Sequence, residues 1–590
     1  MDFDAAWTRA ILEAGRTLWG VDLSEAKYSP ILEAPSDLKF GDATCGVAMR
    51  LARELKKPPR KIAEELAGKL AGLPGAAKID IAGAGFVNLA AQPAIQASTI
   101  EEARRKGARF GRSDAGSELK VLVEHTSANP TGPLHIAHGR QAALGDSIAR
   151  ILEHAGYRVG REFYINDTGS QVENLGRSVL WRHLESKGIS FAREDRGVDE
   201  DGKPRIWLVA EVGGKKFELE EKNSYRGDYI REIAKKVVEP ATVDSCGRLG
   251  MEILLAEIRR DLQDFRVTYD RWSSQADLEA TGAVARLVAK LKAMGLTYEK
   301  DGALWLRAKD AGDTKDNVLV KQDGQYTYRT PDIAYHLDKY ARGWNCLIDL
   351  WGPDHHAHIQ GMETALKMLG YLPSPDHEFK VLIVQHCRLL KAGQEVKMGK
   401  RLASYVTLRE LMDEVGVDAT RWFFVMRKTD SPLDFDMTLA VQQSADNPVY
   451  YVQYAHARIA SVFRKAVEKG MIAAEELKDG LYTAPFDAAA LGDEEVFLVR
   501  HVRGLGRAVE RAALHLDPSI LCGYLYGLAA AYQQYQTAGK KDPAKRILVE
   551  NERIRQARLA TLAAVKVALR TGMGLLGVEA PDQMERDEVE

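Results

Sequence analysis

Residues 119–165 alternate in a pattern that few folds accommodate. KVLVEHTS reads as an apolar strand bounded by polar turn residues, and Leu134 to Gly156 then turns helical, with Ile148, Ile151, Leu152 and Ala155 on one face. REFYIND supplies the next strand. Strand, turn, helix and strand in that order make the βαβ unit of a parallel nucleotide-binding sheet. The alternation returns in TYRTPDIAYHLDKYARG, NCLIDLWGPDHHAHIQGMETALKMLG and KVLIVQH, which predicts a second α/β half. Between the halves, residues 185 to about 270 are rich in charge, and DRGVDEDGKPR followed by WLVAEVGGKKFELEE predicts a small insertion containing a hairpin.

The chain extends well beyond this unit on both sides. At 590 residues it is too long for one hydrophobic core, so roughly three to five domains are expected. Residues 1 to about 110 mix amphipathic helices, such as AMRLARELKKPPRKIAEELAGKL, with short strand-like pieces, such as KIDIAGAGFVNLA, before the glycine-bearing GARFGRSDAGS. That combination predicts a small α+β domain. After about Thr407 strand signals fade, and stretches such as LRELMDEVGVDATRWFFVMRK and NERIRQARLATLAAVKVALRTGMGLL predict a helical bundle.

Composition narrows the setting. A net charge of -2 gives no overall basic field, although a local patch could still hold RNA. Cys45, Cys246, Cys346, Cys387 and Cys522 are far apart and form no CxxC pair, which disfavours a disulfide scaffold or zinc knuckle and points to a reducing cytoplasm. MDFDAAWTRAILEAG carries acids early, and no stretch approaches about 18 uninterrupted apolar residues, so neither secretion nor a membrane span is expected.

HTSANPTGPLHIAHGR places His135 and His138 three apart, on one side of a first helical turn at the C-terminal end of a strand. Three readings stay open on these residues alone. A metal pair would need further ligands, and no HExxH-type pattern supplies them. A phosphate-binding turn would combine helix-start amides with imidazole donors. Two polar residues could also simply open a helix. KMGKRLASYVTL, residues 397–408, sets two lysines and an arginine among small residues directly after the second α/β half, as either a solvated loop or a second anion contact.

Taken together, HIAH and KMGK resemble the HIGH and KMSK signatures of class I aminoacyl-tRNA synthetases, which bracket ATP at the two halves of a Rossmann-type fold. Around them VEHTSANPTGPLHIAHGR, YINDTGSQV, YRGDYI, TYRTPDIAYHLDKY, WGPDHHAHIQ, KMGKRLASYVTLREL and LLGVEAPDQM follow the order of one family in that class, the arginyl-tRNA synthetases, over nearly the whole chain. FGDATCGVAMRLA resembles that family's added N-terminal domain. The resemblance implies a multidomain α/β protein: a tRNA-contacting N-terminal α+β domain over 1–110, a Rossmann-type parallel-sheet catalytic domain over 111–405 with the insertion at about 185–270, and an anticodon-binding all-α helical bundle over 406–590.

It also implies residue roles. Arginine would be held by Glu124, Ser127, Asn129, Tyr328 and Asp332. The chemistry agrees, because a planar guanidinium with five donors is best matched by carboxylates that accept in bidentate fashion. ATP would be bound by His135, Ala137, His138, Gly139, Asp354, His356, Lys397, Met398 and Lys400. Of these, His135, His138, Lys397 and Lys400 would be catalytic, stabilising charge on the phosphate oxygens. His355, His358 and Gln360 are as well suited to capping or to the surface. Mg2+ is expected with ATP, a structural zinc is not, and the partners implied are L-arginine and tRNA(Arg), with the protein a monomer and no membrane partner. Tyr450 and Tyr524 are candidate anticodon contacts among tyrosines whose helical spacing suits core packing as well.

Two positions depart from the signatures. Ala137 stands where HIGH has glycine, so one methyl lies where the backbone approaches the nucleotide, and a modest change in ATP affinity is expected. Gly399 stands where KMSK has serine, while both lysines remain. The cysteine enzyme of the same class usually needs a zinc site for which clustered ligands are missing, and a tRNA-binding paralogue without catalysis would not be expected to keep the histidines and lysines together.

Overall fold

The computed structural model describes residues 3–28, 31–33, 35, 40–116, 118–199, 202–396 and 406–584. A five-stranded sheet organises its centre: β1 (Lys120–Glu124), β2 (Arg158–Ile165), β3 (Arg271–Ser274), β4 (Cys346–Trp351) and β5 (Glu378–Ile383). Their spatial order is β5-β4-β1-β2-β3, and every neighbouring pair is parallel. The order reverses between β1 and β4, where the connections leave in opposite directions and open a crevice at the strands' C-terminal ends.

The continuous apolar run of β1 follows from burial on both faces. Val121 and Val123 pack in the core that holds α1 (Ile136–His154), whereas Leu122 packs with Ile333 and Ala334 of α2 (Arg329–Ala341). Glu124 shares the parity of Leu122 and therefore faces α2.

The N-terminal residues form an antiparallel three-stranded sheet, with Phe86–Ala91 between Ala43–Cys45 and Ala76–Ala82, closed by helices around Trp7, Leu51, Ile62 and Leu66. Helix Pro93–Lys106 leaves that unit, and its Ile100 and Ala103 join the core shared with the C-terminal helices. Buried Asp42 pairs with Arg503 at 2.9 Å, joining the two ends of the chain.

Between β2 and β3, helices Ser170–Ser186 and Val243–Asp264 carry an antiparallel meander of Ala192–Val198, Pro204–Val212 and Lys215–Glu220, one strand more than a hairpin. Past residue 406 the long helices are Pro448–Glu468, Asp493–His515, Ser519–Lys541 and Glu552–Leu575. Short strands do lie there: Leu433–Asp436 pairs in parallel with Cys387–Lys391, burying Leu433 and Phe435, and Leu477–Lys478 pairs antiparallel with Leu481–Tyr482. A fully buried ion pair, Arg421 with Asp146 at 2.5 Å, ties the helical part to α1, and Arg421 also donates to the carbonyls of Leu576 and Phe265. Among the described residues no helix is long and apolar enough to cross a membrane.

Candidate active site

The turn after β1 is strained. Thr126 has φ 70° and Ser127 φ 35°, left-handed backbone that a β-branched residue rarely adopts. The surroundings enforce it. The Tyr269 hydroxyl donates to Thr126 Oγ1 at 2.9 Å, and Ser127 Oγ donates to Glu124 Oε1 at 2.9 Å while accepting from the Tyr164 amide at 3.1 Å.

Helix α1 then opens with His135 as its N-cap. Burial alternates sharply here. Leu134, Ile136, Gly139 and Arg140 are buried, while His135, Ala137 and His138 are half-buried. His135 Nδ1 accepts from the Ala137 amide at 3.2 Å, and His138 Nδ1 accepts from the His135 amide at 3.3 Å. A nitrogen that accepts carries no proton, so both neutral rings hold theirs on Nε2. The rings stack at 3.7 Å between centroids, which sets two Nε2–H donors side by side at a helix N-terminus.

Gly139 is packed against helices that arrive from beyond residue 406. A Cβ there would meet Leu408 Cδ1 at 2.7 Å and Phe424 Cε2 at 3.0 Å, and its amide bonds to the His135 carbonyl. Its missing side chain admits the neighbouring helices.

Residues 397–405 fall outside the described residues, so Lys397, Met398, Gly399 and Lys400 have no described position. Both flanks of that stretch are anchored on the HIAH segment. On the near side, the fully buried Arg140 donates to the carbonyls of Gln385 at 2.8 Å and His386 at 3.4 Å, and its other arm reaches Lys428 at 2.9 Å and Ser431 at 2.8 Å. On the far side, Thr407 bridges His135, and the Leu408 amide bonds to the Leu134 carbonyl at 2.8 Å.

The candidate arginine ligands meet an ionic network. Register places Asp349 of β4, Glu124 of β1 and Glu162 of β2 in one row across the sheet. Above that row, α2 carries Asp332, His336 and Lys339, continued by Arg342, on one face. Lys339 Nζ, with no exposed surface, donates to Glu124 Oε2 at 2.5 Å and Asp349 Oδ1 at 3.0 Å. His336 Nε2 lies 2.8 Å from Asp349 Oδ2, and its Nδ1 lies 3.3 Å from Asp332 Oδ1. His358 Nε2 donates to Asp332 Oδ2 at 2.6 Å, and Arg342 pairs with Glu162 at 2.8 Å.

Electrostatics follow this geometry. Burial would lower His336, but Asp349 and Asp332 prevail over it and raise the imidazole to about 10. Burial likewise opposes charge on Asp332, yet His336 and His358 hold that carboxyl well below its usual range. For Glu124 burial prevails and pushes the carboxyl up, although Lys339 pulls against it.

Tyr328 is 74% exposed, with its ring 5.4 Å from His358, and Asn129 is exposed. Asp354 is exposed in a short turn, and the His356 side chain is outside the described set. Gln360 bonds to the Gly312 carbonyl at 3.2 Å. Tyr450 is half-buried and stacks on Tyr454 at 5.9 Å, and the half-buried Tyr524 donates its hydroxyl to the His501 carbonyl at 3.1 Å, joining two helices. Sequence reasoning missed Arg140, His336, Lys339 and Asp349. The polar positions 332, 336, 339 and 342, at helical spacing, were the available signal. Among the described residues no group of three or more His, Cys, Asp or Glu could hold a metal ion.

The family model described as tRNA synthetases class I (R), catalytic domain, matches residues 99–198 and 215–460, the span that contains the sheet, the histidine pair and the ionic row. The central domain is thus that of a class I aminoacyl-tRNA synthetase. The flanking parts match an arginyl tRNA synthetase N terminal domain over residues 6–91 and a DALR anticodon binding domain over 452–584. The chain is 43% identical to an arginine–tRNA ligase of Shouchella clausii, across 97% of this chain and 98% of that protein, and 40% identical to one of Oleidesulfovibrio alaskensis, across 94% and 95%. A solved arginyl-tRNA synthetase from Thermus thermophilus shares the fold with a TM-score of 0.73 at 23% identity, over 98% of this chain and 100% of that one. The chain belongs to the arginyl-tRNA synthetase family.

Proposed function

We propose that this protein ligates L-arginine to tRNA(Arg) in two ATP-dependent steps. The arginine carboxylate attacks the α-phosphate of ATP, taken up as its Mg2+ salt, giving arginyl-adenylate and pyrophosphate. A terminal ribose hydroxyl of the tRNA then takes the arginyl group and releases AMP. No protein nucleophile is needed, so the work is positioning and charge stabilisation.

The observation that carries the reading is the placement of two Nε2–H donors, on His135 and His138, at the β1/β4 switch point, in the connection that follows the strand carrying Glu124. The histidines would donate to ATP phosphates, joined by Lys397 and Lys400, with Ala137, Met398, Asp354 and His356 lining the nucleotide. Glu124 and Asp332 would receive the guanidinium, and Ser127, Asn129 and Tyr328 would complete the arginine site. Lysine would leave acceptors unmatched, at roughly 1.5–3 kcal/mol for each charged hydrogen bond lost. Tyr450 and Tyr524 are the candidates for base contacts in the anticodon-binding part. A cytoplasmic monomer completes the reading, and the five cysteines, all free and buried, suit a reducing compartment.

Pyrophosphate exchange tests the reading. Exchange should depend on arginine and not on lysine, should be measured with and without tRNA, and should collapse in Lys400→Ala. Exchange indifferent to arginine would refute it.

A further inference from the structure

We propose that Lys339 and His336 are positioning residues for arginine recognition: they hold Glu124 and Asp332 as the two ends of one buried ionic chain that is a single cation short. The inference rests on Glu124 and Asp332 receiving the guanidinium. The chain runs from Glu124 to Lys339 (2.5 Å), Asp349 (3.0 Å), His336 (2.8 Å), Asp332 (3.3 Å) and His358 (2.6 Å). It contains three carboxylates and two built-in cations. His358 lies beyond Asp332, to which it donates through Nε2. The count between the two candidate guanidinium ligands is therefore of Lys339 and His336, the cations that lie between carboxylates. One negative charge is left over, and a guanidinium carries one positive charge.

Acceptor capacity agrees with the charge count. A carboxylate has about four acceptor sites. Glu124 uses one for Lys339 and one for Ser127, and Asp332 gives one side-chain oxygen to His358, while its Oδ1 lies 3.3 Å from His336 Nδ1, whose hydrogen bond goes to the Asp332 carbonyl at 2.8 Å. Sites therefore remain at both ends, and the engaged ones fix the rotamers. Lys339 and His336 lie one turn apart on α2 and touch no arginine in this scheme. They act by keeping buried carboxylates ionised and aimed.

Glu124 faces Lys339, His336 and Tyr335 on α2, Asp349 on β4, Glu162 and Tyr164 on β2, and Ser127 in the turn. Lys339 is the cation bonded to it. In Lys339→Met the chain carries two uncompensated negative charges, and Glu124, already pushed upward by burial, takes up a proton at higher pH. The measurement is arginine KM and ATP KM in tRNA-supported pyrophosphate exchange, from pH 6 to 8. The acid limb of the arginine KM profile should move up by at least one pH unit relative to wild type, a tenfold larger KM at a given pH on that limb, with the ATP KM profile unmoved. Loss of mere packing would raise KM equally at every pH, and that result would overturn the inference.

Glu124→Gln separates the two claims. It should raise arginine KM and abolish the limb, and adding Lys339→Met should then shift nothing. An unchanged arginine KM in Glu124→Gln would instead sink the assignment of Glu124 to the guanidinium. If Lys339→Met cannot be purified, His336→Gln carries the same test, since it also removes one cation while keeping a donor toward Asp349, and an unmoved limb there overturns the inference equally.

Discussion

The two nitrogens of His138 have separate jobs, and two substitutions separate them. Nδ1 accepts from the His135 amide at 3.3 Å and closes the helix cap, while Nε2–H is the donor assigned to phosphate. An asparagine offers an acceptor near the Nδ1 position and nothing at Nε2; a glutamine can put a donor near the Nε2 position, or close the cap through its amide oxygen as glutamine does at N3 of a capping box. Loss of a donor to a charged oxygen is worth ~1.5–3 kcal/mol, so His138→Asn should lower kcat about 10- to 150-fold with little change in thermal stability. Loss of a helix cap costs ~0.5–2 kcal/mol, a loss that His138→Gln avoids in the free protein by capping through its amide oxygen, so it should keep its stability and much more of its kcat. Both variants lose the stack on His135, which cancels in the comparison. Pyrophosphate exchange and thermal unfolding on the same preparations give the two axes. Wild-type turnover in His138→Asn, or activity and stability falling in parallel in both variants, would refute the division of labour.

Other perturbations probe the supports of the site. Gly139→Ala drives a methyl to 2.7 Å from Leu408 and 3.0 Å from Phe424, both without exposed surface, and should destabilise by ~1–3 kcal/mol in thermal or denaturant unfolding; unchanged stability would mean that the packing had been misjudged. Arg140→Lys keeps the charge but cannot span four carbonyls. Losing one or two charged bonds should cost ~2–4 kcal/mol and raise ATP KM, because the flank of residues 397–405 is released from α1. The His336 imidazole is raised from 6.5 to about 10, so its stabilisation is complete below pH 6.5 and disappears as pH rises through 10. Stability should therefore fall more steeply between pH 7 and 10 in wild type than in His336→Gln, as read by chemical unfolding at fixed temperature.

The legible parts of the site are those whose meaning is local. Strand, turn and helix over 119–165 follow from periodicity, and the placement of HIAH after an apolar strand puts the histidines at a crevice before any coordinate is known. The tautomers could not be read, because they depend on amides only two or three residues away whose geometry is set by the cap. The packing role of Gly139 could not be read for a related reason: its neighbours Leu408 and Phe424 arrive from about 270 and 285 residues later in the chain. LDFD at Leu433–Asp436 was passed over because four residues between helices carry too little periodicity to stand out, and its partner strand lies on the other side of residues 397–405. Lys339 shows the limit most clearly. Its helical spacing from Asp332 and His336 was visible, but that it lies between two carboxylates depends on the register of β1 against β4.

That distinction bears on the KMGK segment. Its flanks are fixed by Arg140 and by the Leu134–Leu408 and His135–Thr407 contacts, all outside residues 397–405. Where the segment starts and ends is consequently independent of the residue at 399, and a glycine in place of serine alters what the segment presents without altering where it is held. The same separation explains how Ala137 can be accommodated. Its amide is used in capping α1 whatever the side chain, so the methyl changes only the surface offered to the nucleotide. Anchoring by distant backbone and the proposed recognition by local side chains thus fall to different residues.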